Sequence, residues 1–170
     1  EVAYLSELDA LYPFFTVEET IKFNAGLFAD FDGQKAREIL GFMQLEPDKK
    51  VRQLSKGNRG RLKILLALSR RAPLILMDEP LAGLDPLVRD SIIKSMISYL
   101  DLQEQTVFMS THEVSEVEPV LDMVISLSKG QIKGMEEVEK IREQRAEFFK
   151  QHGFIDKIVP RPQMKETLAK

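Results

Sequence analysis

Residues 74–86 read Leu-Ile-Leu-Met-Asp-Glu-Pro-Leu-Ala-Gly-Leu-Asp-Pro. Four apolar residues run into two adjacent carboxylates, Asp78 and Glu79; a loop containing Gly83 follows, and Asp85-Pro86 opens a helix. Strand residues alternate faces, so the two acids cannot both point into a core. Burying either one without a partner would be costly. The stretch therefore predicts a buried strand that delivers both acids at its C-terminal end, where an open parallel α/β sheet binds its ligands. Asp85 has the side chain of an N-cap, and Pro86 the fixed φ of a first helical residue.

Working outward, residues 2–5 (VAYL) read as a short strand. Thr16 and Glu19 form a capping-box pattern at the start of a helix whose Val17, Ile21, Asn24 and Phe28 share a side. A second short helix spans about Gln34–Met43, and a longer one about 58–71 with Leu62, Leu65, Leu66 and Ser69 in phase. Six of the ten phenylalanines (14, 15, 23, 28, 31 and 42) lie in the first quarter, which predicts a small helical core there. Past the acids, a helix with Ile92, Ile93, Met96, Ile97 and Leu100 on one face leads to a buried strand at 106–109. A short helix over 113–121 and a hairpin of 123–127 with 131–133 follow. The charged stretch from Met135 to about Gln151 reads as a helix, and the end, with Pro160 and Pro162, as a tail. The alternation predicts a three-layer α/β sheet interrupted by a helical insert at about 14–71. The expected division is a domain at 1–134 followed by a helix and tail at 135–170.

The chain has 170 residues, enough for one domain with a sizeable core. Its 24 Lys and Arg against 27 Asp and Glu lack the basic excess of a nucleic-acid surface, so no nucleic-acid partner is expected. There is no cysteine for disulfides or thiolate metal sites. No apolar run reaches the roughly 20 residues of a membrane span. Glu1, Glu7 and Asp9 stand where a secretory leader would be basic and then apolar. A cytoplasmic location is the expectation.

Two further segments carry possible chemistry. In Leu54-Ser55-Lys56-Gly57-Asn58, Ser55 precedes a helix whose first amides lack partners, Gly57 permits close backbone approach, and Lys56 adds a positive charge. That is an anion-binding pattern; its plainer reading is a serine-capped helix. His112, in Ser110-Thr111-His112-Glu113, follows a strand and precedes a helix, and a lone histidine there is more often structural. His152 has no such context.

Taken together in this order, LSKGN, the acid pair with LAGLDP, and STHE resemble the ATP-binding subunit of an ABC transporter. The resemblance implies a P-loop NTPase core, ATP and Mg²⁺ as ligands, and a second ATP-binding subunit plus membrane-spanning transporter subunits as partners. It implies that Asp78 holds Mg²⁺ through water and that Glu79 polarises the attacking water. It further implies that His112 contacts the γ-phosphate, that Ser55, Lys56, Gly57 and Asn58 grip the nucleotide of the other subunit, and that Asp85 reaches that subunit's site. The family usually has Gly in place of Lys56 and Gln in place of Asn58; Lys56 is a variant of export-type subunits. Glu7 stands where the family usually keeps a Gln near Mg²⁺, or is a plain loop acid, with Leu8–Phe15 near the groove for the membrane subunit. The YLSE…LYPFFTVEE opening looks most like bacterial export-type subunits, peripheral on the inner face of the membrane. No Gly-x-x-x-x-Gly-Lys-Ser/Thr phosphate loop occurs, so the sequence reads as the later part of such a domain, incomplete at its N-terminus. The expectation is that this part is inactive alone. The alternatives are a non-catalytic module supplying the signature half of a composite site, and a soluble ABC ATPase.

Overall fold

In the computed structural model, residues 1–8, 10–101, 103–112 and 114–141 are described. They divide into two compact units, one of residues Glu1–Val120 and another beginning at Leu121.

The first unit is built on a parallel three-stranded sheet in the order β1 (Val2–Leu5), β2 (Leu74–Asp78), β3 (Thr106–Ser110). Leu5 pairs with Met77, Met77 with Met109, and Asp78 with Ser110, so all three strands end at one edge. Ala3, Leu5, Ile75 and Met77 are buried on one face, while Val2, Tyr4 and Phe108 on the alternate positions are exposed. Strand β3 was expected to be buried. Its burial alternates between exposed and intermediate, because it pairs only with β2 among the described residues.

The long connection from β1 to β2 carries α1 (Val17–Leu27), α2 (Gly33–Phe42), a 3₁₀ turn at Val51–Gln53 and α3 (Lys56–Leu68). Thr16 caps α1 by accepting from the Glu19 amide while Glu19 accepts from the Thr16 amide, the reciprocal pair legible in the sequence. Asp32 caps α2 through Gln34 and Lys35. The expected aromatic core is not what fills this region. Val17, Ile21, Ala36, Ile39, Leu40, Met43, Val51 and Leu54 are buried, whereas Phe14, Phe23 and Phe42 are exposed. Phe23 sits two residues past Ile21, about 200° round the helix from the buried stripe, and meets Tyr12 and Phe15 edge to face.

Helix α3 packs against α2, against β1 and against α4 (Pro86–Tyr99). It buries Leu62, Ile64, Leu65, Ala67 and Leu68, with Leu66 only partly covered. On α4, Ile92, Ile93 and Met96 are buried as expected, but Ile97 is exposed and Ser95 is buried, its hydroxyl donating to the Ile92 carbonyl. A polar joint closes the insert onto the sheet. Arg70 Nε meets Asp30 Oδ1 at 2.6 Å, its guanidinium lies 3.8 Å from the Phe28 ring centroid, and Gln105 donates to the Arg70 and Ala72 carbonyls. The expected helix over 113–121 is a short α5 (Val114–Val117) followed by a 3₁₀ turn, with Glu113 outside the described residues.

The second unit is a hairpin of β4 (Met123–Ser128) and β5 (Gln131–Glu137). Lys129 and Gly130 both have positive φ (51° and 73°), the two-residue turn that matches strand twist. Residues 135–137 continue the strand, since Met123 pairs with Glu137, where the sequence suggested that a helix had already begun. Helix starts at residue 138, and from residue 142 onward the expected helix and tail lie outside the described residues.

Candidate functional site

Strand β2 ends at Asp78, and the chain turns at Glu79 with φ 43°, left-handed for a residue that carries a Cβ. That geometry costs about 1–2 kcal/mol, and strain of this kind collects at ligand sites. Ser110, the last residue of β3, holds the turn: its carbonyl accepts from the Glu79 amide at 3.1 Å, and its hydroxyl lies 3.3 Å from the same amide. The hydroxyl also donates to Asp78 Oδ1 at 2.5 Å.

The turn brings Glu79 against His112. Glu79 Oε1 accepts from the His112 amide at 3.1 Å and lies 2.8 Å from His112 Nδ1. An ionised carboxylate only accepts, so Nδ1 carries the proton in this contact. Glu79 is largely shielded, its side chain 22% exposed, while the His112 side chain is 70% exposed. One oxygen of Glu79 is thus engaged by histidine at a half-open edge of the sheet.

A second cluster forms around the start of α3. Ser55 caps the helix by accepting from the Asn58 amide at 3.2 Å. The Lys56 ammonium sits over Gly83, where an added Cβ would come within 2.3 Å of Nζ; Gly83 has φ 64°. Gly57 faces Val88, and a Cβ there would lie 2.9 Å from Val88 Cγ2. Gly57 is thus held by packing against the partly buried start of α4 as well as by any ligand approach. Asn58 Oδ1 accepts from Arg61 at 3.3 Å, the local use found for the side chain that replaces the usual glutamine. Asp85 caps α4, its Oδ1 accepting from the Leu87 and Val88 amides at 3.1 and 3.0 Å.

The sequence-predicted residues therefore fall into two groups. Asp78, Glu79 and His112 come together, while Ser55, Lys56, Gly57 and Asn58 form the start of α3, where Lys56 lies over Gly83 and Gly57 against Val88, close to the α4 start that Asp85 caps. Glu7 joins neither. It leaves β1 at the same sheet edge, its side chain is exposed, and its carbonyl accepts from Lys63 Nζ at 3.0 Å. Sequence reasoning missed Ser110 and Lys63; the serine of STHE was in view, but only the β2–β3 register shows that it stands beside Asp78.

No group of three or more histidines, cysteines or acids arranged to hold a metal ion occurs among the described residues. A single well-held carboxylate suits Mg²⁺, which keeps several waters and takes one or two carboxylates alongside substrate phosphates. Among the described residues no helix is long and apolar enough to cross a membrane.

The ABC transporter family pattern matches residues 1–82. An uncharacterized ABC transporter ATP-binding protein of Nostoc sp. is 36% identical over 138 residues, covering 77% of this chain and 41% of the relative. A solved ATP binding subunit of an ABC transporter is 27% identical with a TM-score of 0.69, covering 85% of this chain and 62% of its own. The dimeric ABC transporter cassette MJ0796, at 24% identity and a TM-score of 0.67, shares the fold; the match covers 81% of this chain and 63% of the cassette. The chain spans about two fifths of the length of the curated relatives it matches. Motifs, fold and relatives agree in their likeness to ABC transporter ATP-binding subunits, whose domain pattern the chain carries over residues 1–82.

Proposed function

We propose that the intact protein carrying this sequence is the ATP-binding subunit of an ABC transporter, coupling ATP hydrolysis to substrate export through membrane-spanning partner subunits. The observation that supports this most is the Glu79–His112 contact at the C-terminal edge of a parallel sheet. With Oε1 engaged by His112, Glu79 has Oε2 to accept a proton from the water that attacks the γ-phosphate, a task worth on the order of 10²–10⁴ in rate. His112 steadies that carboxylate and reaches the same phosphate. Asp78 is the acid for Mg²⁺, which when bound would neutralise charge on the phosphates; Glu7, exposed at the same sheet edge, is kept as a loop acid.

The second cluster is read as the half of a composite site. Ser55, Lys56, Gly57 and Asn58, at a capped helix start, serve the nucleotide of a second ATP-binding subunit, with Asp85 extending toward it. Export rather than uptake is inferred from the YLSE…LYPFFTVEE opening, and a place on the cytoplasmic face of the membrane follows from such partners. A polypeptide of these 170 residues alone lacks the glycine-rich cradle and lysine that hold phosphates, and is inactive by itself.

In the intact subunit, Glu79→Gln abolishes most ATP turnover and leaves ATP binding in place, measured by phosphate release and equilibrium binding. Full turnover by that variant would refute the assignment.

A further inference from the structure

We propose that Ser110 is a positioning residue for the acid pair, its hydroxyl selecting which oxygen of Asp78 is presented to a divalent cation and its main chain holding the turn that aims Glu79. The inference rests on the reading of Asp78 as the metal acid.

Three observations converge on this one side chain. Ser110 stands opposite Asp78 as the last pair of the β2–β3 ladder, so the contact is fixed by strand register and not by a mobile loop. At 2.5 Å the hydroxyl-to-carboxylate bond has the short length of a charge-assisted hydrogen bond. It commits the hydroxyl proton to Asp78 Oδ1 and leaves Oδ2 as the oxygen to meet a cation. The same residue receives the Glu79 amide on its carbonyl and its hydroxyl, at 3.1 and 3.3 Å, which secures a backbone that a non-glycine residue rarely adopts.

A serine on an exposed strand end would ordinarily satisfy its hydroxyl with water. Here the hydroxyl is spent on a carboxylate that could otherwise turn about its last torsion and offer either oxygen. Fixing the rotation leaves one defined ligand atom, the service that outer partners give to metal-binding carboxylates. The backbone bond from Glu79 to the Ser110 carbonyl survives any side-chain change, so loss of the hydroxyl should touch Asp78 more than Glu79.

The test is ATP binding to the intact subunit as a function of Mg²⁺ concentration, in a Glu79→Gln background. Ser110→Ala should raise the half-saturating Mg²⁺ about tenfold or more, leave metal-free ATP binding unchanged, and be reversed by Ser110→Thr, which keeps a hydroxyl. An unaltered Mg²⁺ requirement in Ser110→Ala, or equal shifts in the alanine and threonine variants, would overturn the proposal. Failure of the Glu79 assignment is read separately: Glu79→Gln would then turn over ATP at the full rate. The Mg²⁺ titration of Ser110→Ala would in that case be run in the unmodified background, where a raised requirement supports the proposal and an unchanged one overturns it.

Discussion

Replacing Arg70 by methionine removes one half of an ion pair within the helical insert, between the loop after α1 and the end of α3. The pair is close, 2.6 Å from Nε to Asp30 Oδ1, and its side chains are only 9% and 14% exposed. Asp30 Oδ2 is already buried without a hydrogen-bond partner, so losing Arg70 removes the opposite charge that compensates the carboxylate. Breaking a buried pair from one side costs about 3–5 kcal/mol; the residual exposure of Asp30 argues for the lower end, about 3 kcal/mol. With a urea slope of about 2 kcal/mol/M, the unfolding midpoint should fall by about 1.5 M. The chain has no tryptophan, so far-ultraviolet circular dichroism is the suitable probe.

The pH dependence provides a second arm. Burial alone would raise the Asp30 carboxyl, but the hydrogen bond and charge of Arg70, together with a backbone hydrogen bond and one involving Glu1, outweigh it, and its pKa lies below the ordinary value. A depressed folded-state pKa stabilises the fold above the unfolded pKa, and that contribution is lost as pH falls through the folded value. In Arg70→Met the burial is no longer offset by Arg70, so the deficit should be full at pH 7 and shrink as pH falls into the carboxylate range around pH 4, where Asp30 takes up a proton. A midpoint shift under about 0.3 M at pH 7, or an equal deficit at pH 7 and pH 3, would refute the account.

Two further outcomes are expected. Gly57→Ala gains helix propensity but drives a Cβ to 2.9 Å from Val88 Cγ2; overpacking of about 1–3 kcal/mol outweighs the gain of about 1 kcal/mol. Thermal unfolding should therefore show a net loss that Val88→Ala relieves. Titrating Mg-ATP calorimetrically into a polypeptide of these 170 residues should give no binding in the micromolar range, and micromolar affinity would contradict the inactivity proposed for it.

Much of the local structure was legible because short-range chemistry dictated it. Thr16 with Glu19, Ser55, and Asp85 with Pro86 start helices for reasons contained within four residues. The phenylalanines misled, because aromatic content marks apolar surface without saying which side of a helix turns inward. The stretch 135–137 misled as well, since its charges suit a solvated helix until the partner strand Met123–Ser128 extends the ladder across it.

What the sequence by itself determined was an apolar strand ending in Asp78-Glu79, capped helices at Ser55 and Asp85, and the family those motifs share. Each of these follows from neighbours along the chain. Only the tertiary structure decided that Ser110 stands beside Asp78, that Glu79 Oε1 meets His112, and that Lys56 rests over Gly83. Those pairings join residues about 30 positions apart through strand register and helix packing, and no local preference encodes a distance of that kind.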